Sequence, residues 1–330
     1  MKKVVSFFGE RTPIFEQLNN DTKLYAETRG LEYKWSLQHP FNRESVINEL
    51  KHADAGIIDI EPYGEKTFQQ ICSSCKILTR FGVGYDKVDL KAASQYHIAV
   101  ARTTGANTNG VAEMAVTLIL SAMRQLKRNM AYVSAGDWKK EVVHELGGST
   151  VGILGFGAIG RRVTVLLQGF GCHVIAYDPF PNRKAAQEMN VKLVTLEELF
   201  RNADAITVHV PYTKETHHLV NAKLLGLMKP TAVLVNTARG NIVDETDLYN
   251  ALSKGTIAGA GFDVFAEEPL PLDSPLLTLD NIILTPHVSS QTQESLWRIY
   301  KMAIDITADF FEGKEPKDIL NSDYKNGINA

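Results

Sequence analysis

Cysteine is scarce in this chain, three residues in 330, and three thiols are too few to staple a small secreted scaffold. Only Cys72-Ser-Ser-Cys75 has a suggestive spacing. A zinc or redox site would need a second ligand pair, and neither Cys172 nor the adjacent His217 and His218 supplies one. The cysteines therefore read as structural thiols in a helix-to-strand connection, and no metal is expected. Neither sign of charge is in excess: 35 Lys+Arg stand against 38 Asp+Glu, which leaves no basic field for nucleic acid or an anionic membrane. No window approaches the roughly 20 consecutive apolar residues of a spanning helix. Residues 1–8 carry two lysines but only a short apolar run and no small-residue cleavage site, so they read as a first strand and a cytoplasmic location is expected. Low-complexity linkers and short tandem repeats are absent as well.

What is present is ample apolar material, 44% of residues, enough for sizeable cores at a length that suggests two domains or one large α/β unit. Short Val/Ile-rich runs alternate with segments of helical period, the pattern of βαβ units with parallel strands. One group of such units precedes about residue 103 and another follows about residue 149, with a long helical stretch between them that includes a helix expected over 111–128. The class is α/β with two doubly wound parallel-sheet domains. Residues 130–148 carry Tyr132, Trp138 and Val142-Val143 without clean periodicity. They read either as an exposed arm that needs a partner or as a loop packed on its own domain.

Val151-Gly-Ile-Leu-Gly155-Phe-Gly157-Ala158-Ile159-Gly160 is a strand running into Gly-x-Gly-x-x-Gly and then an amphipathic helix. Gly155 permits a tight turn, Gly157 lets a pyrophosphate approach the backbone, and Gly160 allows close packing of helix on strand. The helix N-terminus then faces the diphosphate with unpaired N–H groups and a positive dipole end. A second strand ends at Asp178, 18 residues after the last glycine. An acid there accepts hydrogen bonds from both ribose hydroxyls and repels a 2′-phosphate, so NAD is expected over NADP, with Arg183 nearby keeping that preference open.

Three ionisable residues each follow the end of an expected strand: Arg239, Glu268 and His287. Singly they read equally well as a surface charge, a turn cap and a core histidine. Together, at the ligand-binding edge of a doubly wound sheet, they match a chemical need. Hydride transfer to a 2-oxo acid requires a cation for the carboxylate, which the planar fork of arginine suits. It also requires an acid for the developing oxyanion, which histidine suits. A carboxylate on the far ring nitrogen orients the imidazole, and Glu268 is the candidate.

These motifs, together with Phe81-Gly-Val-Gly-Tyr-Asp-Lys-Val-Asp89, Asn107-Thr-Asn-Gly-Val-Ala-Glu113, Val208-His-Val-Pro211, Asn236-Thr-Ala-Arg-Gly-Asn-Ile-Val-Asp244 and Pro286-His287, resemble those of the D-isomer-specific 2-hydroxyacid dehydrogenases along nearly the whole chain. The resemblance implies a Rossmann NAD-binding domain, residues 104–296, inserted into a flavodoxin-like substrate domain of residues 1–103 and 297–330. It maps the family's catalytic arginine, glutamate and histidine onto Arg239, Glu268 and His287. It implies cofactor contacts at Ala158, Ile159, Asp178, Val210, Pro211, Thr216, Thr237 and Asp263, and substrate contacts at Val83 and Gly84 in addition to Arg239 and His287. It further implies a homodimer in which residues 130–148 reach over the neighbouring subunit, and domain closure that excludes water.

The implied activity is reversible hydride transfer between NAD(H) and a small 2-hydroxy or 2-oxo acid, glycerate, 3-phosphoglycerate or similar. Arg80 and Arg102 read either as anion-binding groups or as solvated strand ends. The alternatives are an NADH-binding corepressor-like sensor with little turnover, and a dehydrogenase for an unusual anion such as phosphite. Formate dehydrogenases share the fold, but their glutamine before the histidine is not matched by Thr285-Pro286.

Overall fold

The computed structural model describes residues 1–38 and 41–326; residues 327–330, the end of the expected substrate domain, lie outside them. The chain divides into two units, Met1–Asn107 with Thr292–Ala330, and Thr108–Gln291. Among the described residues no helix is long and apolar enough to cross a membrane, and no three His, Cys, Asp or Glu side chains gather to hold a metal ion.

The first unit is built on five parallel strands, β1 (Lys2–Ser6), β2 (Leu31–Trp35), β3 (Ala55–Ile58), β4 (Ile77–Arg80) and β5 (Ala99–Arg102), in the order β2-β1-β3-β4-β5. That is the flavodoxin-like order. Alternate residues serve opposite faces. Val4, Ile57, Ile77 and Ala99 pack with Phe15, Leu18, Tyr300 and Ile304 of the helices Pro13–Thr28 and Gln293–Phe311. Val5, Ile58, Leu78 and Val100 pack with Ile47, Phe68 and Ala93 of the helices Arg43–Leu50, Glu65–Ile71 and Leu90–Gln95. β2 escapes a search for Val/Ile runs because it is an edge strand, with Leu31 and Tyr33 buried while Glu32 and Lys34 face out. Cys72 and Cys75 lie between the helix Glu65–Ile71 and β4, and burial pushes the Cys75 thiol up to about 12, which makes it inert.

The C-terminal segment is tied to both sides of this sheet. Tyr25 and Arg29 bond Asp305 of the helix Gln293–Phe311. Beyond the helix, Asn321 is 5% exposed and lies against edge strand β5. Its Oδ1 accepts the Val100 N–H at 2.7 Å and its Nδ2 donates to the Ile98 carbonyl at 2.9 Å.

The second unit carries seven parallel strands, β6 (Thr150–Leu154), β7 (His173–Tyr177), β8 (Lys192–Leu193), β9 (Ala205–Val208), β10 (Val233–Asn236), β11 (Gly259–Phe262) and β12 (Ile282–Leu284). Their order is β12-β11-β10-β9-β6-β7-β8, so the chain leaves β6 in one direction and returns at β9 on its other side. In such sheets the ligand crevice opens at the carboxyl ends of the strands flanking the reversal.

The helix expected over 111–128 is two helices, Thr108–Met123 and Leu126–Ser134, separated by Gln125 in a left-handed conformation (φ 46°). The turn is held because Arg128 bonds both Gln125 and Asp280, and Lys127 bonds the Leu279 carbonyl. The second helix buries none of its residues. In the stretch that follows, Trp138 is 78% and Val142 fully exposed, whereas Leu146 is buried in the core of its own unit, so each of the two readings of residues 130–148 describes part of the stretch.

Replacing Asn321 with Leu would leave the Val100 N–H and the Ile98 carbonyl buried without partners, at about 3 kcal/mol in all. Calorimetry is expected to show the N-terminal unit unfolding at a lower temperature, whereas an unchanged transition would mean that water substitutes for the amide.

Candidate active site

At the carboxyl end of β6 the chain turns through Gly155 (φ +103°), where a Cβ would lie 2.6 Å from the Val210 nitrogen. At Gly160 it would lie 2.3 Å from the Gly155 carbonyl oxygen, whereas at Gly157 it would meet nothing within 4 Å. The first two glycines are demanded by backbone packing, and the third leaves open space. The helix Ala158–Gln168 starts beside that space with no side chain capping its first turn, so its N–H groups and dipole are available to an anion.

Asp178, just after β7, accepts the Phe156 N–H through Oδ2 and the Phe180 N–H through Oδ1, both at 2.8 Å. It is thereby pinned to the glycine turn, with lone pairs left for hydroxyl donors. Val210 is buried, and the Thr216 hydroxyl braces its loop by donating to the Pro211 carbonyl at 2.8 Å. The Thr237 hydroxyl is enclosed without a hydrogen-bond partner. An uncapped helix N-terminus, open space over Gly157, an anchored carboxylate and an enclosed hydroxyl fit the diphosphate and ribose of NAD.

Farther along the same edge, Glu268 Oε2 accepts a hydrogen bond from His287 Nδ1 at 2.9 Å, and Glu268 Oε1 accepts the Phe265 N–H at 3.0 Å. The side chains of His287 and Glu268 are 33% and 24% exposed, which leaves the imidazole reachable while its partner is shielded. Burial by itself would raise the Glu268 carboxyl. The bond and charge of His287, the Phe265 N–H and the charge of Arg239 outweigh it and hold Glu268 below the usual carboxylate range. Glu268 is therefore the ionised partner, and Nε2 is the imidazole nitrogen that this bond leaves open.

His287 itself has φ 54°, a left-handed conformation that costs a non-glycine residue about 1 kcal/mol or more. Asp263, fully buried after β11, holds it there. Its Oδ1 accepts from the Thr285 hydroxyl and the Val288 N–H, and its Oδ2 from the N–H and hydroxyl of Ser289. Expected as a cofactor contact, Asp263 has its acceptor positions taken up by the turn that carries His287.

Arg239 lies on a turn that Asn236 pins by donating to the Arg239 carbonyl and accepting the Ala238 N–H. The sequence motif that carries Arg239 begins at this buried Asn236, to which it assigned no role of its own. In the N-terminal unit, Thr103 fastens the turn Phe81–Gly84 through Gly82, and the N–H groups of Val83 and Gly84 donate no hydrogen bond among the described residues. Arg80 is neither solvated nor open: it is 6% exposed and paired with Asp59 at 3.3 Å. Arg102 lies over the Tyr85 ring.

These features define a nicotinamide-nucleotide oxidoreductase of the doubly wound class. Residues 116–289 match the family described as D-isomer specific 2-hydroxyacid dehydrogenase, NAD binding domain. A glyoxylate reductase of Korarchaeum cryptofilum is 36% identical over 88% of this chain and 89% of its own length. A D-3-phosphoglycerate dehydrogenase of Archaeoglobus fulgidus is 34% identical over 93% of this chain but only 58% of its own length. The solved structure of a D-2-hydroxyisocaproate dehydrogenase superposes with a TM-score of 0.85 at 28% identity, covering 97% of this chain and all of that one. The chain belongs to the D-isomer-specific 2-hydroxyacid dehydrogenase family. It is an NAD-dependent oxidoreductase acting on CH–OH groups.

Replacing Asp178 with Ala removes the carboxylate expected to accept the ribose hydroxyls and releases the Phe156 N–H. Loss of a charge-assisted bond worth about 1.5–3 kcal/mol predicts an increase of about tenfold or more in the Kd for NADH, with weaker discrimination against NADPH. Titration of both cofactors by protein fluorescence tests this, and an unchanged preference would remove Asp178 from the ribose site.

Proposed function

We propose that this protein catalyses reversible hydride transfer between NAD(H) and a small D-2-hydroxy or 2-oxo acid, with NAD preferred over NADP. The observation that carries the reading is the 2.9 Å bond between Glu268 and His287 Nδ1, which leaves Nε2 for the substrate. NADH, when bound, supplies the hydride. Arg239 holds the substrate carboxylate through its guanidinium, and Nε2 of protonated His287 gives its proton to the carbonyl oxygen as charge develops there. Ionised Glu268 orients the ring and stabilises its charged form. In the reverse direction neutral His287 takes the hydroxyl proton.

Gly155, Gly157, Ala158, Ile159, Gly160, Asp178, Val210, Pro211, Thr216 and Thr237 are assigned to the cofactor. The N-terminal unit, with the helix Gln293–Phe311, is assigned to the substrate. The unbonded N–H groups of Val83 and Gly84 suit a carboxylate oxygen. Among candidate acids we place glyoxylate and hydroxypyruvate before 3-phosphohydroxypyruvate. The glyoxylate reductase of K. cryptofilum is matched along nearly all of its length, and Arg80, the buried cation of the N-terminal unit, is already paired with Asp59.

NADH oxidation should be followed with glyoxylate, hydroxypyruvate, pyruvate, 2-oxoisocaproate and 3-phosphohydroxypyruvate. His287→Ala is expected to lower the rate about a hundredfold or more while NADH still binds. Binding of NADH with no turnover of any of them would overturn the reading and direct attention to an NADH sensor or to an inorganic anion such as phosphite.

A homodimer is part of the same proposal, supported by the apolar arm in which Trp138 and Val142 stand exposed. Sedimentation is expected to give a dimer for the native chain and a monomer for the double substitution Trp138→Lys, Val142→Lys. A monomeric native chain would end that part of the proposal.

A further inference from the structure

The turn that carries Glu268 is held by two carboxylates. Successive main-chain N–H groups divide between them: Phe265 donates to Glu268 Oε1 at 3.0 Å, and Ala266 donates to Glu245 Oε1 at 2.7 Å. Glu245 opens the helix Glu245–Ser253, yet it does not cap that helix. Capping is done by Asp244, which accepts the Thr246 and Asp247 N–H groups. The Glu245 side chain instead reaches across to the neighbouring turn. That turn also rests on the turn of Arg239, so tightly that a Cβ on Gly240 would lie 1.9 Å from the Phe265 carbonyl carbon. Glu245 thus stands where the supports of Arg239 and Glu268 meet.

We propose that Glu245 is a positioning residue for the reaction: by accepting the Ala266 N–H it fixes the turn that presents Glu268 to His287. This rests on the reading of Glu268 and His287 as the acid–base pair. Several charged or titratable groups face Glu245 across its neighbouring elements. Asp244 caps its helix, His218 is on the loop that bonds Asp244 at 3.1 Å, and Glu268 is on the adjoining turn. Burial raises the Glu245 carboxyl first, and Asp244 and Glu268 raise it further against the pull of the Ala266 N–H and His218.

The test compares the native enzyme with Glu245→Ala, Glu245→Gln and His287→Ala, using NADH and glyoxylate. Glu245→Ala is expected to lower kcat about tenfold with the KM for NADH within twofold. Glu245→Gln keeps an acceptor for Ala266 and is expected to recover kcat to within about threefold of the native value. The His287 ring signal in an NMR spectrum, identified by its absence in His287→Ala, should change position in Glu245→Ala and keep its native position in Glu245→Gln. Native kcat and a native ring signal in Glu245→Ala would overturn the proposal, as would equal impairment of the Ala and Gln variants. If His287→Ala keeps native activity, the acid–base reading itself fails. If His287→Ala is inactive while both Glu245 variants behave as the native enzyme, only the role of Glu245 fails.

Discussion

The second unit depends on a charge kept where charges are costly. Asp263 is fully enclosed behind β11, and an isolated carboxylate there would be strongly destabilising. It is tolerated because two main-chain N–H groups and two hydroxyls of Thr285, Val288 and Ser289 converge on it, each charge-assisted and short. The converse is that the turn bearing His287 has no freedom to relax out of its left-handed conformation. The strain at His287 and the buried charge at Asp263 sustain each other, and the bond from His287 to Glu268 follows from where that turn is held.

Around this anchor the loops at the carboxyl edge are set by main-chain contact more than by side-chain reach. Gly240 lets the Arg239 turn lie directly on the backbone of Phe265 and Ala266, and Gly160 does the same for the nucleotide-binding helix against the Gly155 carbonyl. Side chains swing among rotamers, whereas main chains in van der Waals contact are fixed to within a few tenths of an ångström. The cation and the acid–base pair proposed here would, on such supports, begin the reaction already oriented.

The N-terminal unit is organised differently. Its glycine-rich turn is held by Thr103, whose hydroxyl bonds both the N–H and the carbonyl of Gly82 and whose own N–H donates to that carbonyl. Phe8, just after β1, stacks on Phe81 with ring centroids 3.7 Å apart. Arg80, which has the sequence appearance of an anion-binding residue, is instead buried with Asp59. The main-chain N–H groups of Val83 and Gly84 are thereby the donors this turn has to offer.

The alternation of Val/Ile runs with helical segments, and the glycine fingerprint followed by Asp178, were sufficient to specify two parallel α/β units and a dinucleotide site, because both depend on local periodicity and on the short-range geometry of one turn. That Arg239, Glu268 and His287 follow strand ends was legible for the same reason. The edge strand β2, the break at Gln125 and the enclosure of Arg80 were not, since each is decided by partners distant in the chain. Most dependent on folding were the supports that come from elsewhere in the chain: Asp263 under His287 and Glu245 under the Glu268 turn. A sequence states which side chains are available. Which of them receive a main-chain N–H from another loop depends on how the seven strands are ordered, and that was decided only when they assembled into one sheet.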